Sequence, residues 1–205
     1  MNKTPYNLDV TLEKARNQFA ASDPQVISHK SGVAFDPAKK EFLLSFLDET
    51  YTISHPEGLI KRQGKEEEVN IIFQILYLHY LCSSSGLPLK DEWISFKELP
   101  GGQIYITPFQ NRAVKPFIKV FGKQPDSLTR AAKKLGGTPG TYGDMSYILP
   151  VFPRVPFMFV LWTGDEEFPA SGTILFDASA GSYLPTEDFA MLSGLLVSKI
   201  KAASK

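Results

Sequence analysis

The chain has 205 residues, 43% of them hydrophobic, enough to bury the core of one domain. Lys plus Arg and Asp plus Glu both number 22, so the net charge is zero, which argues against a general nucleic-acid binder whose affinity comes from neutralising many phosphates. No run of about eighteen apolar residues exists to span a membrane, and a single cysteine, Cys82, excludes an internal disulfide or an all-cysteine cluster within the chain.

The N-terminal MNKTPYNLDV lacks the apolar core of a signal peptide, so a cytoplasmic location is expected. From Leu8 to Ala21 the residues Leu8, Leu12, Ala15 and Phe19 keep a helical spacing, and Asp23-Pro24 is read as the end of that helix. Three short strands are expected next, Gly32 to Phe35, Glu41 to Leu47 and Tyr51 to Ser54, forming an antiparallel meander. Glu66 to Cys82 is the strongest helical segment. Its three leading glutamates suit the positive end of a helix dipole, and its apolar residues run nearly all the way round, as in a central, buried helix.

Leu99-Pro100-Gly101-Gly102 signals a tight turn. Thr107-Pro108 resembles a helix start, and Pro116 cannot continue such a helix without a break or kink. Asp126 to Leu135 forms an amphipathic helix closed by Gly136-Gly137. Strands follow at Met145 to Val151, Pro156 to Trp162 and Gly172 to Phe176. The stretch Val155 to Trp162 is apolar without alternation, which predicts burial on both faces. Thr186 to Ala202 is the last helix, with Thr186 as its cap. The order predicts a single α+β domain over residues 1–205: two antiparallel β meanders, a central buried helix, and flanking N- and C-terminal helices.

The usual reaction motifs are missing. GLIKRQGKE has the wrong spacing for a phosphate loop, and GGTPGTYGD follows a helix and precedes a strand, which makes it a connector rather than a dinucleotide turn. There is no zinc-binding His-Glu-x-x-His pair, no Cys-x-x-Cys and no Gly-x-Ser-x-Gly elbow, and no metal site is expected. His79 stands in line with Ile72, Ile75 and Leu76 and shares a helix face with Cys82. An imidazole there serves as a hydrogen-bonded core residue or, functionally, as a proton carrier or half of a His-Cys site.

Six acids crowd the stretch LWTGDEEFPASGTILFDASAGSYLPTED. Asp165, Glu166 and Glu167 read as a turn after a buried strand, Asp177 as a strand end, and Glu187 and Asp188 as the first turn of a helix. A reaction site requires convergence. If the two strands pair through the intervening loop, Asp165 and Asp177 stand at opposite ends of the hairpin, which weakens a simple two-carboxylate site.

WISFKELPGG, FPRVPFMFVLW, GDEEFPASGTILFD and YLPTED, in that order, resemble the DUF3786 family of bacterial and archaeal proteins, most strongly from Trp93 to Asp188. The resemblance implies a single domain from anaerobic prokaryotes, in a kind of family whose members are sometimes joined to, or placed near, iron–sulfur and corrinoid-type methyl-transfer proteins; it supplies no catalytic residues and names no cofactor. Two functions are expected to compete. One is a non-enzymatic ligand-binding or accessory protein for a redox or one-carbon system. Its aromatic pocket would use Trp93, Phe96, Tyr105 and Trp162, with Asp165 and Phe168 on the rim, and a small molecule or a protein would be the partner. The other is a small enzyme using Asp165, Glu166, Asp177 and His79 for general acid–base or metal-assisted chemistry.

Overall fold

A computed structural model describes residues 7–205. The fold is α+β, with two antiparallel sheets, and the chain groups into two compact units, one ending at Leu87 and the other running from Pro88 to Lys205. No helix among the described residues is long and apolar enough to cross a membrane.

The first unit opens with helix α1 (Leu8–Ala21), which buries Leu12, Ala15 and Phe19 on the expected stripe. The Asp23-Pro24 pair does more than end it. Asp23 accepts hydrogen bonds from the N–H groups of Gln25 and Val26, and Pro24 takes the first position of a second helix, α2 (Pro24–Ser31), which the sequence reading missed. Strands β1 (Ala34–Asp36), β2 (Glu41–Phe46), β3 (Glu49–Ser54) and β4 (Ile60–Arg62) form a meander in chain order, with β4 an addition to the three expected. Helix α3 (Ile71–Ser83) packs on α1 and α2 and buries Gln74 to Leu78 together with Tyr80 and Leu81. It begins five residues later than expected from Glu66. Asn70 caps it by accepting from the Ile72 N–H, so Glu66, Glu67 and Glu68 precede the helix and never meet its dipole.

The second unit carries the larger sheet. Strands β5 (Trp93–Ser95), β6 (Thr138–Pro139), β7 (Met145–Phe152), β8 (Val155–Trp162) and β9 (Ser171–Asp177) stand in the order β5-β9-β8-β7-β6, every neighbour antiparallel. Seven of the eight β8 residues lie inside, six of them fully buried, in keeping with its unbroken apolar run.

Helix α4 (Gly102–Phe109) starts ahead of Thr107-Pro108, so Pro108 sits inside it rather than at its start. A π-turn at Gln110–Val114 joins it to α5 (Lys115–Phe121), and Pro116 lies at the start of α5. The break expected at Pro116 is therefore absorbed as a local widening of the helix. Helix α6 (Pro125–Lys134) and the long α7 (Thr186–Ala203) complete the layer over the sheet. Pro185, not Thr186, occupies the cap of α7; the Thr186 hydroxyl instead donates to the Pro100 carbonyl. The core between helices and sheet is aromatic: Phe157, Phe176 and Phe189 pack at centroid distances of 4.8 to 5.7 Å, and Phe117 meets Phe159 at 5.5 Å.

Candidate functional site

The β8–β9 hairpin fixes where the acids go. Trp162 pairs with Ser171 at one end, and Phe157 with Phe176 near the other, where Asp177 closes β9 beside Trp93. Six strand steps separate Ser171 from Asp177, about 20 Å. Asp165 and Asp177 thus stand at opposite ends of the hairpin, and so do Trp162 and Trp93.

Asp177 is 2% exposed. Its carboxylate accepts four hydrogen bonds, from the N–H groups of Lys90 (3.0 Å), Asp91 (2.8 Å) and Ser179 (2.8 Å) and from the Ser179 hydroxyl (2.6 Å). Burial alone pushes its pKa up, but the donors outweigh it and hold the carboxyl below its ordinary value. It is an anionic knot that ties the chain entering β5 to the chain leaving β9.

The other hairpin end is the more open site. Asp165 Oδ1 accepts the N–H groups of Phe168 (2.7 Å) and Glu167 (2.9 Å), and these bonds lower its pKa. The turn projects Glu166, Glu167 and Phe168 outward; Phe168 is 68% exposed. Trp162, 41% exposed, stands at the root of this loop, and Tyr142, 45% exposed, arrives on the segment before β7. The backbone at Gly143 (φ 65°) lies on β8 so closely that a Cβ there would come within 2.7 Å of Val160 and 3.4 Å of the Trp162 ring. Asp144 completes the end by accepting from the Thr163 N–H and hydroxyl at 2.8 and 2.9 Å. Three open aromatic rings and four carboxylates (Asp144, Asp165, Glu166, Glu167) share this tip, with no Lys or Arg between Trp162 and Ser171. Tyr142 and Asp144 were absent from the sequence-based set, because GGTPGTYGD looked like a connector.

The remaining candidates are placed elsewhere. Phe96 is 2% exposed and stacked on Phe109 at 4.1 Å, a core position. Tyr105 approaches Glu187 with its hydroxyl at 3.5 Å. His79 and Cys82 are half-buried on α3, and burial raises the Cys82 thiol to about 11, far from a thiolate at neutral pH. Among the described residues no group of three or more His, Cys, Asp or Glu is placed to hold a metal ion.

The first unit holds two polar features with no sequence signal. In one, the buried Tyr51 hydroxyl donates to Glu49, which pairs with Arg62 at 2.9 Å. Burial, then the Glu49 bond, raises Tyr51 to about 12, and burial with the adjoining Tyr51 drives Tyr77 higher still, so both phenols stay protonated. The other is a set of adjoining clefts around Arg16, the largest about 580 Å³.

No curated protein and no solved structure matches the chain. A family model described as a domain of unknown function, DUF3786, matches residues 23–199, and the chain belongs to that family.

Proposed function

We propose that this is a cytoplasmic binding protein of accessory type, which uses the tip at the Trp162 end of the larger sheet to dock a cationic segment of a protein partner. One observation carries the reading: Tyr142, Trp162 and Phe168 stand open to solvent beside Asp144, Asp165, Glu166 and Glu167. Aromatic faces attract ammonium and guanidinium groups, and carboxylates around them supply the charge complement. Exposed aromatics gathered together and rimmed by polar groups are a common mark of a contact surface.

The small-enzyme alternative finds less support. Asp177 is saturated with donors and held ionised, the Asp165 pKa is lowered rather than raised, and Cys82 is held as a thiol. The tie to an iron–sulfur or corrinoid-dependent system rests on the family resemblance, and no residue of the tip carries it.

Trp162 provides its own reporter. With Trp93→Phe, Trp162 becomes the single tryptophan. Titration with a lysine oligomer should change its emission saturably, with affinity falling as salt rises, and the fully acetylated oligomer should have no effect. Replacing Asp165, Glu166 and Glu167 by their amides should weaken binding by about tenfold or more. Equal response to the acetylated oligomer, or no response to either, sinks the proposal.

A further inference from the structure

Arg16 lies at the junction of three clefts in the first unit, of about 580, 470 and 330 Å³, each lined in part by its side chain. The largest falls in the size range of small-molecule sites. Its walls are Asp9, Leu12, Glu13, Asn17 and Ala20 from α1 and Pro56-Glu57 from the loop after β3. That loop sets the position of Arg16. Gly58 (φ 64°) lies over the side chain so closely that a Cβ would come within 3.2 Å of Arg16 Cγ. On the far side Arg16 Nη2 donates to Gln74 Oε1 at 2.9 Å, and Gln74, itself buried, is held by donating to the Val69 carbonyl at 2.7 Å.

A neutral amide thus orients the guanidinium. No carboxylate stands within ion-pair distance of it among the described residues, although Glu13 is one helical turn away and Glu57 adjoins Gly58. Arg16 Nε is buried and, among the described residues, has no hydrogen-bond partner. A buried donor left unmet is costly, and a charged one more so. The groove therefore offers one under-used cation beside several carboxylates that are not spent on it.

We propose that the Arg16 cleft is a binding site for a small zwitterion of the α-amino-acid class. The ligand carboxylate sits on the Arg16 guanidinium; a side-on pair with Nε, which is buried, requires the side chain to turn from its position against Gln74. The ligand ammonium faces Glu13 and Glu57, and the ligand side chain lies along Leu12, Ala20 and Pro56. A simple anion meets the repulsion of Asp9, Glu13 and Glu57. A simple amine meets Arg16. A molecule carrying both charged groups on one α-carbon satisfies the two at once.

The test is titration of the ¹⁵N-labelled full chain with individual L-α-amino acids, followed at the Arg16 side-chain Nε–H resonance. Acetate and butylamine serve as single-charge controls. At least one amino acid should shift that resonance saturably, and the controls should bind about tenfold or more weakly. Arg16→Lys keeps the charge but not the fork, and should weaken binding by about tenfold. Glu57→Gln, on an exposed loop residue, should weaken it by several-fold with the fold intact. Saturation by no amino acid, controls that bind as well as the amino acids, or unchanged affinity in both variants would overturn the proposal.

Discussion

At the scale of single residues, hydrogen-bond accounting separates structural from available acids. Asp177 has the chemistry of a catalytic carboxylate and the surroundings of a rivet. Asp177→Asn keeps the shape but turns an amide NH₂ toward groups that are all donors. It should cost about 3 kcal/mol in urea unfolding near neutral pH. The sign with pH follows from the depressed folded pKa. The stabilisation is fully present above the unfolded value of 3.8 and is lost as pH falls through the lower folded value. The gap between wild type and variant should hold from about pH 7 to about pH 5 and narrow as pH falls below about 4; a gap that stays constant down to acid unfolding would show that the charge contributes nothing. Sequence spacing already held the acids apart, since Asp165 and Asp177 bracket one strand. That Asp177 would be the buried one was not legible, because its donors at Lys90 and Asp91 lie far away in the chain.

Among the elements, boundaries turned on residues with two local meanings. Asp23-Pro24 both ends α1 and starts α2, and periodicity alone reads only the ending. Asn70 wins the start of α3 over three glutamates, because a side-chain acceptor on an orphan N–H is more specific than a diffuse dipole. The α4 start was legible as a turn but not as a helix. Gly101 is left-handed at φ 72°, and Gly102 is buried against a 3₁₀ turn at Phe96–Glu98. A Cβ at Gly102 would stand 2.0 Å from the Phe96 carbonyl oxygen. Gly102→Ala should therefore destabilise by about 2–3 kcal/mol, although alanine is ordinarily the better helix former. Chemical denaturation decides it: a stabilised variant would mean that the turn relaxes freely. The open space around Gly64 makes it a useful contrast, since there only its positive φ of 71° opposes a side chain.

On the scale of the molecule, the α+β class was legible because the order helix, strands, helices, strands, helix admits no alternating parallel sheet. The sequence reading took the chain as one domain and did not mark the boundary between the two compact units, which falls in SSGLPLKDE, a stretch without regular structure between α3 and β5. Pro88–Lys205 contains all five strands of its sheet, the helices that cover it and the aromatic core between them. It also keeps Lys90 and Asp91, so the Asp177 knot closes within it. Each buried donor and acceptor of that knot is satisfied without the first unit. The fragment Pro88–Lys205 should then fold alone, with a dispersed amide NMR spectrum and a cooperative unfolding transition. A fragment starting after Asp91 should lose about as much stability as Asp177→Asn, since it removes two of the four donors. A collapsed spectrum for the longer fragment would show that its core needs the first unit. Equal stability of the two fragments would show that the knot only decorates the end of β9.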